Sequence, residues 1–376
     1  MKVIIAAAGT GGHINPGIAI ANKIKEKEPD SEIIFIGTNR GLENDLVPRA
    51  GYSLKTIQAY GFNRKISLDN FKKMYKTFRS IGEAKKIIQE FQPDIVIGTG
   101  GYICVPVGMA AKKAKIPIVL HESNAFPGIA IKMLSKKADT ILLGFEDARK
   151  RIPNAKKIVV TGTPTKVKYI EVSNSQRIQL IKQLGLQVDL PIALCFGGSQ
   201  GAQSINESLV QIIKQQKNSN YQIIWAAGPA QYEQVKEKLI ECQMEIEHLE
   251  KVKIVPYIYN MEEIMNIVDL VVCRSGAMTI TEISNVGKPA IFIPFPFATE
   301  NHQEYNAKVL EKVDAARIIL DKNLTADLLN DMIENMVSDA EKLKRMGKNA
   351  KNISIENVEE KIYQEIETLA FPEFRK

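Results

Sequence analysis

Short runs of apolar residues alternate with helical patterns along almost the whole chain. In the first part of the sequence the apolar runs cover residues 3–8, 33–37, 95–98, 116–121, 140–144 and 157–161. In the second part they cover residues 191–196, 221–226, 252–256, 270–273, 290–294 and 316–320. Uninterrupted apolar strands that alternate with helices are typical of parallel sheets with both faces covered. The pattern therefore predicts an α/β fold with two doubly wound sheets.

The boundary between the two predicted domains lies at a turn. The residues Thr161-Gly-Thr-Pro164 follow the last apolar run of the first set, and glycine and proline favour a break in regular structure. We expect a first domain over residues 1–163 and a second over residues 164–351. No strand is predicted after residue 323. The amphipathic pattern of residues 355–369 predicts a helix long enough to pack across the domain boundary.

Composition narrows the class of protein. The 376 residues are 45% hydrophobic and 25% charged, as in ordinary globular proteins. The formal net charge of +7 is compatible with a nucleic acid, an anionic membrane surface or an anionic substrate. A single tryptophan and the lack of an RNA-recognition or zinc-finger pattern argue against nucleic acid. The four cysteines are scattered without metal-ligand spacing, so we expect free thiols, no bound metal and a cytoplasmic protein.

A glycine-rich turn follows the first predicted strand. Its sequence is Gly9-Thr-Gly-Gly-His-Ile-Asn-Pro16, in which glycine allows a tight turn and a close approach of a ligand to the backbone. Ile14 stands where a dinucleotide fingerprint has glycine, and the chain has no P-loop, so neither cofactor chemistry is expected. We expect Asn15 as the N-cap and Pro16 in the first turn of the following helix. An ordinary turn without a ligand has the same pattern.

His13 and Glu122 are the candidate catalytic groups. His13 lies at the mouth of the first turn, where a helix dipole favours the neutral imidazole that can accept a proton. Glu122 belongs to His121-Glu-Ser-Asn-Ala-Phe-Pro-Gly128, which follows another strand at the edge where α/β sheets bind ligands. Glu122 is the second candidate base, and Asn124 is a candidate orienting donor. A histidine that only bonds the turn backbone and a solvated carboxylate are the structural alternatives.

The second domain carries a predicted anion site. The stretch Arg274-Ser-Gly-Ala-Met-Thr-Ile-Thr-Glu282 leaves a strand and enters a helix predicted over residues 277–286. The first N–H groups of a helix have no partner within it, and its dipole attracts anions to the same end. Glu282 lies about one turn further on and could accept hydrogen bonds from a ribose.

Three further residues fit a site for a phosphorylated sugar. Ser199, in the glycine-rich loop of residues 196–202, could bind a phosphate. Gln303 begins a helix after a strand and could reach a sugar hydroxyl. Because no metal-binding motif occurs, Lys166 is the candidate cation for a diphosphate. Each of these stretches alone could be an ordinary loop.

Residues 68–90 predict a basic amphipathic helix. Its apolar and basic residues interleave: Phe71, Met74, Tyr75, Phe78 and Ile81 with Lys72, Lys73, Lys76 and Arg79. Basic residues beside bulky apolar ones suit a surface that rests on anionic lipid. A helix packed against the sheet has the same pattern, so both interpretations stay open from the residues alone.

Taken in order, these motifs resemble the MurG family of bacterial cell-wall glycosyltransferases. The resemblance runs from Gly9-Thr-Gly-Gly-His13 to Asn301-His-Gln-Glu-Tyr-Asn-Ala307, and its most specific parts are residues 121–128 and 274–282. It implies the GT-B architecture, with two Rossmann-like domains, a cleft between them, and a C-terminal helix of about residues 352–376 packing on the first. It also implies inverting transfer of N-acetylglucosamine (GlcNAc) from UDP-GlcNAc to the 4-hydroxyl of N-acetylmuramic acid (MurNAc) in lipid I, giving lipid II.

The resemblance assigns the donor to the second domain. Ile258 would contact the uracil, Glu282 the ribose and Gln303 the GlcNAc hydroxyls. Ser199 would contact a phosphate or the nucleoside. The diphosphate would face three residues at the start of one helix: Ala277, Met278 and Thr279. No cofactor and no metal are implied.

The resemblance assigns the base and the acceptor to the first domain. His13 would deprotonate the acceptor hydroxyl, with Glu122 or an intervening water as the alternatives. Four more residues would close the site from this side: Thr10, Gly11, Gly12 and Asn124. Family members are peripheral proteins on the cytoplasmic face of the cell membrane, so residues 68–90 would rest on an anionic membrane surface.

The chain departs from the family pattern at three places. Gly162-Thr-Pro-Thr-Lys166 replaces the usual Gly-Asn-Pro-Val-Arg, so Lys166 keeps the charge but lacks a two-pronged guanidinium. Ser123 stands where glutamine is usual, and Ala7 and Ala8 precede Gly9 where glycines are common. The alternative functions are another GT-B enzyme, such as a glycolipid synthase or natural-product glycosyltransferase, and, in a different class, a UDP-sugar epimerase or a non-catalytic binding protein.

Overall fold

In a computed structural model the described residues are 1–59, 68–198, 201–246 and 249–371, without the side chains of residues 68–78. They form two compact units. One unit contains Met1–Thr165 and Ile355–Lys376, and the other contains Lys166–Ser354. The chain enters the second unit just after the turn Thr161-Gly-Thr-Pro164.

The first unit is built on a parallel sheet. In chain order its strands are β1 (Lys2–Ala7), β2 (Glu32–Gly37), β3 (Ser53–Thr56), β4 (Ile95–Gly100), β5 (Ile118–Glu122), β6 (Thr140–Leu143) and β7 (Ile158–Val160). Among the described residues they pair in the order β3-β2-β1-β4-β5-β6-β7. The strand order reverses between β1 and β4, since β2 and β3 follow on one side and β5 to β7 on the other. Ligands of open α/β sheets bind outside the carboxyl ends of strands at such a switch point.

The helices of the first unit cover both faces of this sheet. They are α1 (Gly11–Lys27), α2 (Glu43–Arg49), α3 (Leu68–Phe91), α4 (Cys104–Lys113), α5 (Ile129–Leu134) and, from the end of the chain, α14 (Val358–Ala370). The C-terminal helix packs on α1, as expected: buried Ile362 and Ile366 share one core cluster with Ile20 and Ile24. The hydroxyl group of Tyr363 also donates a hydrogen bond to Glu28 at 2.9 Å.

The second unit repeats the arrangement with a second parallel sheet. Its strands are β8 (Ile192–Phe196), β9 (Gln222–Ala226), β10 (Val252–Val255), β11 (Leu270–Cys273), β12 (Ala290–Phe292) and β13 (Ala316–Ile318). In the part of the chain that is described they pair in the order β10-β9-β8-β11-β12-β13, with the switch point between β8 and β11. Its helices are α6 (Asn174–Gln183), α7 (Gln203–Lys214), α8 (Tyr232–Glu241), α9 (Met261–Ile267), α10 (Ala277–Val286), α11 (His302–Glu311), α12 (Ala326–Val337) and α13 (Ala340–Asn352).

Two local predictions were wrong. The strand β3 was not predicted, because it lies at the sheet edge with its four residues largely exposed and carries no apolar run. The helix α1 begins at Gly11 with Thr10 as its N-cap, so Pro16 lies inside the helix and not in its first turn after an Asn15 cap. The earlier start places His13 in the first turn of α1. Every predicted apolar run overlaps a strand.

Candidate active site

His13 lies in the first turn of α1, next to the end of β1. Its Nδ1 is 3.0 Å from the carbonyl oxygen of Ala8. A carbonyl oxygen can only accept, so this contact requires the hydrogen on Nδ1 and leaves the lone pair of the neutral ring on Nε2. The positive end of the helix dipole disfavours the imidazolium form. The fold therefore favours the tautomer in which Nε2 can accept a proton.

The turn before His13 is hydrogen-bonded to a buried carboxylate that was not predicted from the sequence. Glu43, the first residue of α2, accepts the Gly9 N–H on Oε2 at 2.9 Å. Its Oε1 accepts the N–H and the hydroxyl group of Thr38 at 2.9 and 2.7 Å. Burial raises the pKa of Glu43, but these hydrogen bonds outweigh it and hold the pKa below its usual value. Glu43 therefore stays ionised behind the glycine turn.

The remaining predicted residues of this turn are near the surface. Thr10 and Gly12 are exposed and Gly11 is half-buried. Thr10 caps α1 without a side-chain hydrogen bond, and the first turn of the helix has no acidic residue. The backbone N–H groups at the start of α1 thus point to a surface that a ligand can reach.

Glu122 holds the loop after β5 together. Its Oε1 accepts the backbone N–H and the side-chain amide of Asn124, at 2.8 and 3.0 Å, and its Oε2 accepts the N–H of Gly128 at 2.7 Å. Glu122 is buried, and burial raises its pKa although these donors oppose the shift. Both carboxylate oxygens are used inside the loop. This geometry favours a role in positioning Asn124 over a role as the base.

His121, next to Glu122, is a buried structural histidine. Its Nε2 lies 3.0 Å from the carbonyl oxygen of Gly162, in the turn that ends the first unit's sheet. Burial lowers the pKa of His121 to about 4, so the ring is neutral at pH 7. It links the β5 loop to residues 161–165 by packing and hydrogen bonding, and it is not a candidate for proton transfer.

The start of α10 is the predicted anion site of the second unit. The helix runs from Ala277 to Val286 as predicted, with Gly276 as an N-cap that has no side chain and no acidic residue in the first turn. Ala277 is buried, and Met278 and Thr279 are half-buried. The N–H groups at this end have no intrahelical acceptor. They present a concentrated positive potential without a nearby carboxylate cap.

Arg274 fastens the loops around this helix start. Its guanidinium donates to the carbonyl oxygens of Ile293 and Pro294 at 3.0 and 3.3 Å, and to the hydroxyl group of Ser204 at 3.1 Å. It also forms an ion pair with Asp321. From the sequence alone, Arg274 was only the first residue of the motif. The structure shows that it joins the ends of β11 and β12 to α7.

Gln303 joins the same two loops through its amide oxygen. The oxygen accepts the N–H of Ser275 at 3.2 Å and the N–H of Phe295 at 3.0 Å. The hydroxyl group of Ser275 donates to the Gln303 carbonyl oxygen at 2.8 Å. These contacts fix the plane of the amide and leave its Nε2 hydrogens as the groups that could donate to a sugar hydroxyl.

The other predicted donor residues have different surroundings. Ile258, in the loop after β10, is buried, so its backbone groups are what it could offer a base. Glu282 is half-buried on α10, and Lys166, the first residue of the second unit, is exposed. Ser199 lies outside the described residues. Within the described part of the chain no group of His, Cys, Asp or Glu residues could hold a metal ion, and none of the helices could cross a membrane.

The structure therefore gathers the predicted residues at two sheet edges. In the first unit, the switch point brings His13 and its glycine turn to the carboxyl edge that also carries the Asn124 loop. In the second unit, the corresponding edge brings together the start of α10, Gln303 and the loop of Ile258. Two doubly wound units with helix starts and glycine-rich loops at these edges have the architecture of GT-B glycosyltransferases.

Comparison with known proteins defines the family more closely. The glycosyltransferase family 28 N-terminal domain matches residues 3–143, and the family 28 C-terminal domain matches residues 192–363. The chain is 45% identical over 370 residues to the UDP-N-acetylglucosamine--N-acetylmuramyl-(pentapeptide) pyrophosphoryl-undecaprenol N-acetylglucosamine transferase of Acetivibrio thermocellus, with 98% of each chain covered. The chain belongs to this transferase family.

Solved structures support the same grouping. MurG of Acinetobacter baumannii superimposes with a TM-score of 0.79 and 26% identity, over 98% of this chain and 99% of that one. A putative UDP-N-acetylglucosamine 2-epimerase from Listeria monocytogenes has a TM-score of 0.67 and 14% identity, over 100% of this chain and 98% of that one. That second likeness shows the fold alone, which does not separate sugar transfer from epimerisation.

Proposed function

We propose that the chain transfers GlcNAc from UDP-GlcNAc to the 4-hydroxyl of MurNAc in undecaprenyl-pyrophosphoryl-MurNAc-pentapeptide (lipid I), giving lipid II for peptidoglycan synthesis. The observation that carries this proposal is the 45% identity to the Acetivibrio thermocellus transferase over 98% of both chains. The geometry of the two sheet edges supports it, because one edge suits a diphosphate and the other offers a base.

The donor binds to the second unit in this proposal. The diphosphate of UDP-GlcNAc accepts hydrogen bonds from the N–H groups of Ala277, Met278 and Thr279, where the helix carries no acidic residue in its first turn. Gln303 donates from Nε2 to a GlcNAc hydroxyl, and Glu282 accepts from the ribose. The backbone beside Ile258 contacts the uracil, while Ser199 contacts a phosphate or the nucleoside and Lys166 adds positive charge.

The chemical step is a single displacement that inverts the anomeric carbon. The 4-oxygen of MurNAc forms a bond to C1 of GlcNAc as the bond from C1 to the β-phosphate oxygen of UDP breaks. The proton of the 4-hydroxyl goes to Nε2 of His13, whose tautomer is set by the hydrogen bond to Ala8. UDP leaves with the electron pair, and the start of α10 stabilises its charge.

Glu122 takes a supporting part in this scheme. Both of its oxygens accept hydrogen bonds from Asn124 and Gly128. A carboxylate used in this way is a weaker candidate for proton transfer than an imidazole at a helix start. We therefore assign the base to His13 and the positioning of Asn124 to Glu122. Thr10, Gly11 and Gly12 present backbone groups to the substrates.

The lipid acceptor implies contact with a membrane, and we propose that the first unit makes it. The helix α3 contains the interleaved basic and apolar residues of the sequence, although the side chains of residues 68–78 lie outside the described residues. On α5, Ile129 and Met133 lie one turn apart and are 43% and 49% exposed, with Lys132 between them in the sequence. Exposed apolar residues beside lysine suit the surface of an anionic bilayer. The protein would then be peripheral on the cytoplasmic face.

The direct test is incubation of the protein with labelled UDP-GlcNAc and a short-chain lipid I analogue. We expect label in the lipid fraction and one UDP released for each GlcNAc transferred. Competition with UDP-GalNAc and UDP-glucose tests donor selectivity, for which we expect UDP-GlcNAc to be preferred. A folded protein that leaves the lipid fraction unlabelled would contradict the proposal.

Two further arms of the same experiment separate the alternatives. Transfer to diacylglycerol in place of the lipid I analogue would indicate a glycolipid synthase. Conversion of UDP-GlcNAc to another UDP-hexosamine without an acceptor would indicate an epimerase. Membrane contact is tested by sedimentation with vesicles: we expect binding to vesicles with anionic lipid and release at high salt, since the attraction is screened.

A further inference from the structure

The second Gly-Thr-Gly-Gly sequence of the chain, residues 98–101, takes no part in the steps described above. It ends β4, which pairs with β1, and so it lies beside the turn that carries His13. Its last three residues are Thr99, Gly100 and Gly101. Each of them contacts His13 or the carbonyl group to which the His13 ring is hydrogen-bonded.

Thr99 and Gly100 contact His13 directly. The hydroxyl group of Thr99 donates to the backbone carbonyl oxygen of His13 at 2.8 Å. Gly100 lies against the imidazole ring: a Cβ atom there would be 2.3 Å from Cδ2, 2.8 Å from Cγ and 2.9 Å from Nε2 of His13. Any side chain at position 100 would therefore displace the ring, and only glycine lets the ring lie where it does.

Gly101 makes room for the acceptor of the ring hydrogen bond. A Cβ atom at Gly101 would be 2.5 Å from the carbonyl oxygen of Ala8, the atom that accepts Nδ1–H of His13. Both glycines have positive φ angles, +128° at Gly100 and +83° at Gly101, which favour glycine for backbone reasons as well. Below the turn, the buried thiol of Cys104 accepts the Gly100 N–H at 3.3 Å and contacts the Gly100 carbonyl oxygen at 3.2 Å.

We propose that Thr99, Gly100 and Gly101 are positioning residues for His13. Thr99 fixes the backbone of the first helical turn, Gly100 fixes the plane of the ring, and Gly101 keeps the Ala8 carbonyl oxygen in place to select the Nδ1–H tautomer. Together they set the direction in which Nε2 points. The inference rests on the proposed function, in which Nε2 accepts the proton of the acceptor hydroxyl. It gives the second glycine motif a role in proton transfer.

The main test compares Gly100→Ala with Gly51→Ala. Gly51 has a φ angle of +85° in the same unit, and a Cβ atom there meets nothing within 4 Å, so this variant carries backbone strain without touching His13. A well-placed general base contributes about 10²- to 10⁴-fold to a rate, so we expect Gly100→Ala to lose at least about tenfold in kcat. The KM for UDP-GlcNAc should change by less than about twofold, since the second unit binds the donor. Gly51→Ala should keep the kcat of the unaltered protein.

A milder variant and a spectroscopic measurement distinguish a displaced His13 ring from general misfolding. Thr99→Val removes one hydroxyl donor and keeps a β-branched side chain, and we expect a loss of about threefold in kcat with an altered pH profile of kcat. The tautomer of His13 is read from its ¹⁵N ring resonances, assigned by their disappearance in His13→Gln. We expect the Nδ1–H tautomer in the unaltered protein and in Gly51→Ala, and a mixture of tautomers in Gly100→Ala.

The outcomes separate this inference from the proposed function. If Gly100→Ala and Gly51→Ala have the same kcat and the same His13 resonances, the positioning role is wrong. If His13→Gln keeps full transfer activity, the assignment of the base is wrong. In that case the ring resonances of Gly100→Ala still decide whether residues 99–101 hold the imidazole. If Gly100→Ala has a mixture of tautomers and a lowered kcat, both the positioning role and the assignment of His13 as the base are supported.

Discussion

The two sheet edges that carry the candidate residues are held by different side chains, a buried carboxylate in one and an arginine paired with Asp321 in the other. In the first unit, the turn before α1 is hydrogen-bonded to the buried carboxylate of Glu43. In the second unit, the loop before α10 is fastened by the guanidinium of Arg274. Both helices begin without a side-chain cap and without an acidic residue in the first turn. The difference therefore lies in the group behind the loop.

This difference matches the two chemical roles in the proposed reaction. Glu43 holds the glycine turn that leads into the first turn of α1, where His13 is the proton acceptor in the proposal. A helix start without a carboxylate stabilises the negative charge that develops on UDP. One loop-to-helix geometry can thus serve as a base site or as a leaving-group site. In this proposal, the role depends on whether the first turn of the helix carries an imidazole.

The largest expected effect comes from removing the imidazole of the first edge. In His13→Gln no group of comparable basicity remains, so we expect kcat to fall by about 10²- to 10⁴-fold. The affinity for UDP should stay within about twofold, because the proposed nucleotide site lies in the second unit. Steady-state kinetics and calorimetric titration with UDP measure the two quantities separately. A loss of kcat below tenfold would mean that another group, or a water, takes the proton.

The second prediction places a carboxylate directly at the start of α10. Gly276 has a φ angle of −62° and space around it, since a Cβ atom there would be 3.9 Å from the nearest atom, the Thr279 hydroxyl oxygen. Gly276→Asp should therefore cap α10 and raise stability by a few tenths of a kcal/mol. Two charges about 4 Å apart near a protein surface repel by about 4 kcal/mol, so we expect UDP affinity to fall roughly 1,000-fold.

The matched control for this change is Gly276→Asn. Asparagine caps a helix about as well as aspartate but carries no charge. We expect Asn to weaken UDP binding clearly less than Asp, with a similar melting temperature for both variants without ligand. Equal affinities of the Asp and Asn variants would show that the diphosphate does not bind at the start of α10. Thermal unfolding and titration with UDP are the measurements.

Much of the fold could be predicted from the sequence, for a simple physical reason. Parallel strands covered on both faces need continuous apolar residues, and such runs are visible one at a time without knowledge of their partners. The strand β3 was not predicted because an exposed strand at the edge of a sheet does not need a continuous run of apolar residues. The start of α1 was wrong because its first turn is supported from a distance: Thr99, 86 residues further on, donates to the carbonyl oxygen of His13.

The candidate site was predictable in its motifs but not in its contacts. The family resemblance singled out His13, Gln303 and residues 277–279 because they occur in recognisable local sequences. Glu43 was missed because it meets Gly9 only through the fold, across 34 residues of the chain. The contacts of Gly100 with the ring of His13 are of the same kind. Local patterns identify the groups that can act, whereas long-range packing decides their orientation and charge.

The third prediction removes the charge behind the first edge. The two oxygens of Glu43 accept hydrogen bonds from Gly9 and Thr38. In Glu43→Gln the side chain has only one oxygen, so a donor of Gly9 or Thr38 would face a hydrogen of the glutamine amide. We expect a loss of about 1–3 kcal/mol in the free energy of unfolding at pH 7. Because the pKa of Glu43 is lower in the folded state, its stabilisation is present above the unfolded pKa of about 4.3 and is lost as the pH falls through the folded pKa.

Urea unfolding at pH 7 and below pH 4 measures this effect. The difference between Glu43→Gln and the unaltered protein should shrink in acid, since protonation removes the advantage of the carboxylate. Asp45→Asn is the control on the same helix: Asp45 is exposed and paired with Arg49, so its loss should change stability by less than about 1 kcal/mol. A difference for Glu43→Gln that is the same at both pH values would contradict the ionised state.

The smallest expected effect tests the sugar contact of the second edge. Gln303→Glu keeps an oxygen to accept the N–H groups of Ser275 and Phe295, so the two loops should stay joined, but it loses the Nε2 donor. The new charge weakens UDP and UDP-GlcNAc alike, so the ratio of their affinities isolates the sugar hydrogen bond. A neutral hydrogen bond contributes about 0.5–1.5 kcal/mol, so we expect the ratio to fall by roughly threefold to tenfold. Titration with both ligands measures it. An unchanged ratio would mean that Gln303 does not bind a hydroxyl group of GlcNAc. The proposed diphosphate site at the start of α10 would be unaffected, because Gly276→Asp tests it separately.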